Sequence, residues 1–506
     1  MAALLGLTEV MPLTPLDFTA PQNYIVKVFS FPFRSGAEKD RLEAVEFLKT
    51  RLERVFTLFP FLGGLIIHAK EGELPRLVYS KGRPNVDRHG LPDNLKVFSY
   101  QVLDCSQFPW TFEQLSELGN PADLMKKDLF WLVPKSDPAP GDELPPIRLR
   151  ATFIKGGLLL GFSFHHGVMD GGGTVEFLQC FAKGEAVDDV ESLTKHKAEF
   201  IKLARKFADT TPVDLRSMDG YDFTAQAPPV PPKAEGKIFS FSSTTANSLH
   251  KECLAHLRAQ QGPNAFISVT DVLCGLLWFH VTRVRLRAGR IRPDDTTRFA
   301  TAVNVRGRLN IKPGYIGNMF LRALAATTVE DLAGPAPVAQ GGGSSSSSSI
   351  SSIGASPRST VQQIARAAQL IRKAVQSMSD PCTLQRHLAI ATRATDPSDG
   401  TLTWTEVDAA VRRAIARHST GLDATVGVEL GGDVEFDIPG TGSGPTRPAW
   451  VRRAYVPFEG SVALLPRPGG RKGDADWEVS LGLREEDMRV LEGEEELGAY
   501  LCRPAA

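Results

Sequence analysis

No stretch of this 506-residue chain approaches the ~18 consecutive apolar residues that a membrane span needs. Its longest apolar run, around Gly156 to Phe162, is the size of a strand. The opening MAALLGLTEVMPLTPLD lacks a basic leading segment, and Glu9 interrupts its apolar stretch, so it reads poorly as a secretory signal. An excess of one charge is also lacking: 58 Lys plus Arg stand against 58 Asp plus Glu, where a nucleic-acid binder usually carries a basic surplus. Cysteine is scarce, with Cys105, Cys180, Cys253, Cys274, Cys382 and Cys502 too far apart for any CxxC metal or redox motif. Six in so long a chain read as reduced thiols rather than a disulfide framework. Neither an internal repeat nor a Gly-rich phosphate loop is visible. These absences lead us to expect a cytoplasmic monomer with no nucleic-acid or membrane partner.

What is present is ordinary globular material, 42% apolar and 23% charged, and the length corresponds to two or three domains of ~150 residues. Gly334 to Ser359 reads GPAPVAQGGGSSSSSSISSIGASPRS, which cannot bury enough apolar area to offset backbone ordering, so 334–359 is expected to be a disordered insertion. Removing it should leave the fold intact. The prolines of APPVPPKAEGK exclude helix and suggest an extended crossover over 216–237, between parts at 1–215 and 238–506. Apolar residues at helical spacing predict helices over Arg41–Leu58, Ser268–Val284, Val361–Met378 and Trp404–His418. The second begins S-V-T-D, in which Asp271 can reach back to the Ser268 amide. Strands are predicted over Ile147–Ile154, Leu158–His165, Phe299–Val305, Ala424–Leu430 and Gly460–Leu465. Strands and helices in turn indicate an α/β class.

The most informative stretch is LLLGFSFHHGVMDGGG, Leu158 to Gly173. An apolar strand ends in two histidines, an aspartate follows, and glycines allow a tight exit into the helix TVEFLQCF. A strand-end imidazole is rigidly held yet reaches a cleft, and its ordinary pKa lies near working pH, so His166 suits a general base. Asp170 can orient an imidazole or tie down the turn. The adjacent His165 and His166 point to opposite faces of a strand and cannot easily share an ion, so no metal is expected.

His166 with Asp170-Gly171 resembles the HxxxDG motif of the BAHD acyltransferase superfamily, especially its fungal branch typified by trichothecene 3-O-acetyltransferase. Further blocks look like that family's in the same order: LTPLDFTAPQNY (Leu13 to Tyr24), FPFLGG (Phe59 to Gly64), SVTDVLCGLLW (Ser268 to Trp278), NVRGRLN (Asn304 to Asn310), GYIGNM (Gly314 to Met319) and GSVALLPR (Gly460 to Arg467). One block departs. The DFGWG signature has as counterpart FDIPGTGSGPTRPAWVRR, where Asp437 remains but Ile438 and Pro439 replace Phe and Gly.

The resemblance implies two chloramphenicol-acetyltransferase-like domains with the active site at their interface. It implies an acyl-CoA co-substrate, no bound cofactor, and a small-molecule alcohol acceptor whose proton His166 removes. Asp170 would orient the histidine and the turn, Gly171, Arg306 and Arg308 would serve as substrate-contacting or structural residues, and Asp437 would pair with Arg306 or Arg308. Two other readings stay open at this point: a free-standing condensation-type domain using carrier-protein thioesters, and a catalytically silent scaffold.

Overall fold

The computed structural model describes residues 8–503 except 69–72, 81–94, 122–123, 125–129, 131–137, 186–188, 212–220, 224–232, 335–356, 397–402, 404–405, 408, 411–412, 414–420, 426–430, 454–457 and 468–474. The strand predicted from Leu158 runs Gly157–His165 and is buried along its whole length. Such a strand needs neighbours on both edges and cover on both faces. Its edges are taken by Tyr24–Pro32 and Ile147–Ile154, both antiparallel to it. Among the described residues the sheet runs Trp450–Arg453, Tyr24–Pro32, Gly157–His165, Ile147–Ile154, Phe98–Val102. On one face, the Phe162 ring meets those of Phe29, Phe177 and Phe181 edge to face, and Phe436 joins Phe29 and Phe181 from the distant end of the chain. Each fully buried ring contributes roughly 1.5–3 kcal/mol by area, before any gain from ring geometry.

The second large sheet has the order Phe320–Thr328, Thr296–Asn304, Leu422–Thr425, Ser461–Leu465, Trp477–Arg484, Ala234–Phe241, Leu501–Arg503. The pairings on either side of Leu422–Thr425 are parallel and the rest antiparallel. Its core centres on the helix Val269–Arg287, whose Trp278 donates from Nε1 to Thr297 Oγ1 at 2.9 Å. Ser268 caps that helix as the sequence indicates, its amide donating to Asp271 Oδ2 at 2.6 Å and its Oγ accepting from the Asp271 amide at 3.2 Å. A smaller sheet pairs Glu9–Met11, Arg76–Tyr79, Leu65–Ile67 and Glu143–Leu144.

Three expected boundaries move. The strand Ala234–Phe241 begins inside the stretch read as linker, while 216–220 and 224–232 lie outside the described residues. The helix Pro357–Ser377 takes in the last three residues assigned to the Ser/Gly insertion, whose 335–356 lie outside the described residues. Most of the expected helix Trp404–His418, and the end of the strand expected over Ala424–Leu430, also lie outside them. The division at the linker is crossed as well, because Trp450–Arg453 forms the edge of the first sheet.

That crossing strand is anchored by an ion pair. Arg452 donates to Glu478, on the strand Trp477–Arg484 of the second sheet, at 2.9 and 3.3 Å, with side chains 1% and 0% exposed. It also donates to the Asn120 carbonyl at 2.7 Å and to that of Gly119. An unpartnered charge here would be far more expensive than the pair itself. Glu478→Gln is expected to lose about 3–5 kcal/mol in urea unfolding. Arg452→Met combined with Glu478→Leu should lose clearly less than the sum of the two single changes, the mark of direct coupling.

Candidate active site

The turn after Gly157–His165 is built by backbone bonds that leave the two histidines on opposite sides. The His165 amide donates to the Pro146 carbonyl at 2.8 Å, and the His166 amide to that of Asn23 at 2.7 Å. His165 is fully buried, edge-on to Tyr24. Its Nδ1 accepts from the Gly167 amide at 3.2 Å, so its proton sits on Nε2, which faces His68 Nε2 at 3.1 Å. Burial and the neighbouring imidazoles of His68 and His166 hold its pKa well below the usual histidine value.

His166 is half-buried, with Phe320 against its ring at 5.4 Å between centroids. Its Nδ1 lies 3.2 Å from Asn318 Oδ1. The Asn318 amide has no freedom to turn over, because its Nδ2 donates to Asp17 Oδ1 at 2.9 Å and to the His166 carbonyl at 2.7 Å, both pure acceptors. Its oxygen therefore faces Nδ1, the ring proton lies there, and Nε2 keeps its lone pair. Loss of hydration depresses the His166 pKa to about 4, against weaker opposing pulls that include the Asp170 charge and the Asn318 bond. Arg453 reinforces the depression.

Asp170 does not hydrogen-bond His166. It caps the helix Gly171–Lys183, its Oδ1 accepting from the Gly173 amide at 2.8 Å. Arg306 grips both carboxylate oxygens, at 2.8 and 3.0 Å, and the Met319 amide donates to Oδ2 at 2.7 Å. Burial works to raise the Asp170 pKa, but Arg306 and these donors outweigh it and hold the group below the ordinary carboxylate range. Arg306 also donates to the Gly317 carbonyl at 2.8 Å. A Cβ at position 172 would come within 2.5 Å of Arg306 Nη1, so the second residue of the glycine run is there for the close approach of the guanidinium.

The expected Asp437 pairing is not formed. Asp437 is exposed, between the buried Phe436 and Ile438, while Arg306 is bound to Asp170 and Arg308 donates to Ser379 Oγ at 2.9 Å and the Asn304 carbonyl at 2.7 Å. With Ile438 and Pro439 in place of Phe and Gly, the segment turns its apolar side chains inward and leaves the carboxylate in water. Gly171 opens the helix, its carbonyl accepting from Thr174 Oγ1 at 2.7 Å. The structure thus brings His166, Asp170, Gly171 and Arg306 together with three residues that the reading of single positions missed: Asn318, Asp17 and Lys197. Asn318 and Asp17 were visible only as members of the GYIGNM and LTPLDF blocks, and the one signal for Lys197 is its place in the apolar line of Leu193, Phe200 and Ala204. A separate group, His280, Glu494 and Glu496, has ligand atoms within 4.8 Å, but both carboxylates already pair with Arg287 and Arg283.

This arrangement offers a half-buried imidazole acceptor at the end of a strand, with its other nitrogen and its backbone both tied down. Comparisons with known proteins place the chain among acyl-transferring relatives. The Transferase family profile matches residues 112–338, and that of the trichothecene 3-O-acetyltransferase-like N-terminal domain matches residues 24–184. A trichothecene 3-O-acetyltransferase of Fusarium sporotrichioides is 25% identical over 79% of this chain and 78% of its own. The O-acyltransferase pigD of Monascus ruber is 27% identical over 92% and 93%. Among solved structures, F. sporotrichioides TRI101 complexed with coenzyme A and T-2 superposes with a TM-score of 0.68 at 21% identity over 97% of this chain and 99% of its own. Vinorine synthase does so at 0.58 and 16% identity, over 98% and 96%. The two-domain chloramphenicol-acetyltransferase-like fold and the profile matches agree, and the chain belongs to the BAHD transferase family as an O-acyltransferase with a trichothecene 3-O-acetyltransferase-like N-terminal domain.

Proposed function

We propose that this protein transfers an acyl group, acetyl by preference, from acyl-CoA to a hydroxyl of a small secondary metabolite, with His166 as general base. The relatives support the substrate classes: they are named as O-acetyltransferases and O-acyltransferases, and TRI101 structures hold coenzyme A with T-2 or deoxynivalenol. The observation that carries the mechanism is the Asn318 contact, which leaves the lone pair on His166 Nε2.

The acceptor hydroxyl gives its proton to Nε2 as its oxygen attacks the thioester carbonyl. The tetrahedral intermediate collapses with cleavage of the carbon–sulfur bond, and the imidazolium returns the proton to the departing CoA thiolate. The charge appearing on the ring is met by Asn318 Oδ1 at Nδ1–H and by the Asp170 carboxylate nearby. No acyl-enzyme is required, so no serine or cysteine nucleophile takes part. An alcohol is a weak nucleophile at neutral pH, and base assistance of about 10²–10⁴-fold is the contribution expected of the histidine. Holding both substrates against one rigid turn supplies the proximity term. Asp170 acts through geometry, by joining the helix Gly171–Lys183 to the 317–319 turn.

His166→Ala should lower acetyl-CoA turnover with a panel of alcohol acceptors at least ~10²-fold while melting is kept. His165→Ala should act mainly on melting, since it strips a partner from His68 and from the Gly167 amide. Equal losses of turnover from both would contradict the assignment.

The pH dependence follows from the same ring. A base must be neutral, so kcat/KM should hold across the neutral range and fall only on acidification toward a midpoint of about 4. A midpoint near the ordinary histidine value would speak against His166.

Asp170→Asn should lower both melting and rate, leaving Arg306 without its counter-charge. A carboxylate with a depressed pKa stabilises the fold above the ordinary carboxylate range and loses that contribution as pH drops through its own value. The stability gap between native protein and Asp170→Asn should therefore narrow in acid, as chemical denaturation at several pH values would measure.

A further inference from the structure

Beyond Asn318 the hydrogen-bond chain continues into two helices that carry no part of the HxxxDG motif. Asp17 lies in the short helix Pro15–Thr19, and Lys197 in the helix Val190–Thr210. Lys197 Nζ meets Asp17 Oδ2 at 2.9 Å, with side chains 1% and 0% exposed. On its helix Lys197 falls in the buried line of Leu193, Phe200, Ala204 and Ala208, a position that packing by itself would fill with an apolar residue. Burying the ammonium carries a heavy desolvation penalty, which points to a use for its charge.

The carboxylate of Asp17 is fully engaged. Oδ2 accepts from Lys197, from the Thr14 amide at 2.8 Å and from Thr14 Oγ1 at 3.0 Å. Oδ1 accepts from the backbone amide of Asn318 at 2.8 Å and from its Nδ2 at 2.9 Å. The approach of Lys197 depends on Gly317, where a Cβ would come within 2.9 Å of Nζ and 2.6 Å of the Tyr315 ring. The 315–319 turn is thus held by two buried ion pairs, Arg306–Asp170 on one side and Lys197–Asp17 on the other, with Asn318 between them.

We propose that Asp17 and Lys197 are positioning residues for the acyl transfer: Asp17 fixes the Asn318 amide so that its oxygen holds Nδ1–H of His166, and Lys197 balances the charge of Asp17. The inference rests on His166 as the base. Asp17 acts as a pure acceptor, so its carboxylate selects the end of the Asn318 amide that the imidazole meets, and through it the tautomer with a free Nε2. Its negative charge favours the imidazolium formed during transfer, and Lys197 limits that effect.

The two substitutions therefore have opposite signs. Asp17→Asn removes the charge that favours the imidazolium and lets the Asn318 amide turn, so the His166 titration midpoint falls and the Nε2–H tautomer becomes populated. Lys197→Met leaves Asp17 unbalanced, so the midpoint rises. The other ionisable groups around the ring are Asp170 with Arg306, Arg453 and the neutral His165, and both substitutions leave them in place.

The test uses the full chain with ¹⁵N-labelled histidine, the His166 signals being assigned by their absence in His166→Ala. Long-range ¹H–¹⁵N spectra give the tautomer and the midpoint, and acetyl-CoA turnover is followed by thiol release. The expected result is an Nδ1–H tautomer in the native protein, midpoints displaced in opposite directions by the two substitutions, and kcat lowered about tenfold or more in Asp17→Asn with KM for acetyl-CoA nearly unchanged. Lys197→Arg should restore the native midpoint. If Asp17→Asn fails to fold, Lys197→Met and its rescue by Lys197→Arg decide the matter. Midpoints and tautomer that stay put, or that move in the same direction, would overturn the inference even if melting falls, and Asp17 and Lys197 would then be structural only. Opposite displacements in a protein that does not turn over acetyl-CoA would instead uphold the coupling and remove the acyl-transfer reading on which it rests.

Discussion

The bidentate pair between Asp170 and Arg306 is the contact on which the site depends. Asp170 carries four jobs with two oxygens: it caps the helix Gly171–Lys183, neutralises Arg306, accepts the Met319 amide and, through Arg306, reaches the Gly317 carbonyl. One carboxylate thereby joins the end of a strand in the first sheet to the turn between two strands of the second. A buried pair of this kind brings little net stability by itself, since desolvation offsets most of the attraction. Its value is geometric: several donors converge on one acceptor, so the turn carrying Asn318 has one arrangement in which all of them are satisfied.

From that constraint the division of labour between the two histidines follows. They are neighbours in the chain, yet the pleat sends them to different environments. His165 goes inward to His68 and a backbone amide, where burial holds its pKa well below the usual histidine value. His166 stays at the edge, held at Nδ1 and along its backbone, with Nε2 unclaimed. The same sequence feature, a doubled histidine, thus yields one structural ring and one with the geometry of a base.

The site is assembled from distant pieces of chain: Asp17, the 165–173 turn, Lys197, and the loop from Asn304 to Phe320. Such an assembly requires the two sheets to hold a set relation, and Arg452–Glu478 is one device that does so, carrying a strand from the C-terminal part into the first sheet. Phe436 serves the same end through packing, by entering the aromatic cluster of that sheet. The loss of the Phe-Gly pair after Asp437 fits this role, because the segment is retained by its buried Phe436 and Ile438 rather than by its carboxylate.

The sequence by itself determined what depends on near neighbours. The Ser268–Asp271 cap, the apolar strand ending at His165, the glycine exit into the following helix and the apolar stripes of several helices all follow from spacing, since a helix or strand repeats over a few residues. The HxxxDG turn was legible for the same reason. What only the tertiary structure decided is which charge meets which. Arg306 lies 136 residues from Asp170, and Asn318 lies 301 from Asp17. No local period encodes such pairings, and the same Arg306 read from sequence was equally suited to Asp437. The strand Tyr24–Pro32, buried along nearly all its length, shows no polar alternation from which to read it, even its Lys27 being covered by Thr174 and the Phe164 ring. Lys197 is the extreme case: it stands in the apolar line of its helix, but only packing against Asp17 and Tyr315 decides what its charge meets. The physical reason is common to all of these: burial and electrostatic partnership are properties of the folded neighbourhood, fixed by contacts that form only after the chain has closed on itself.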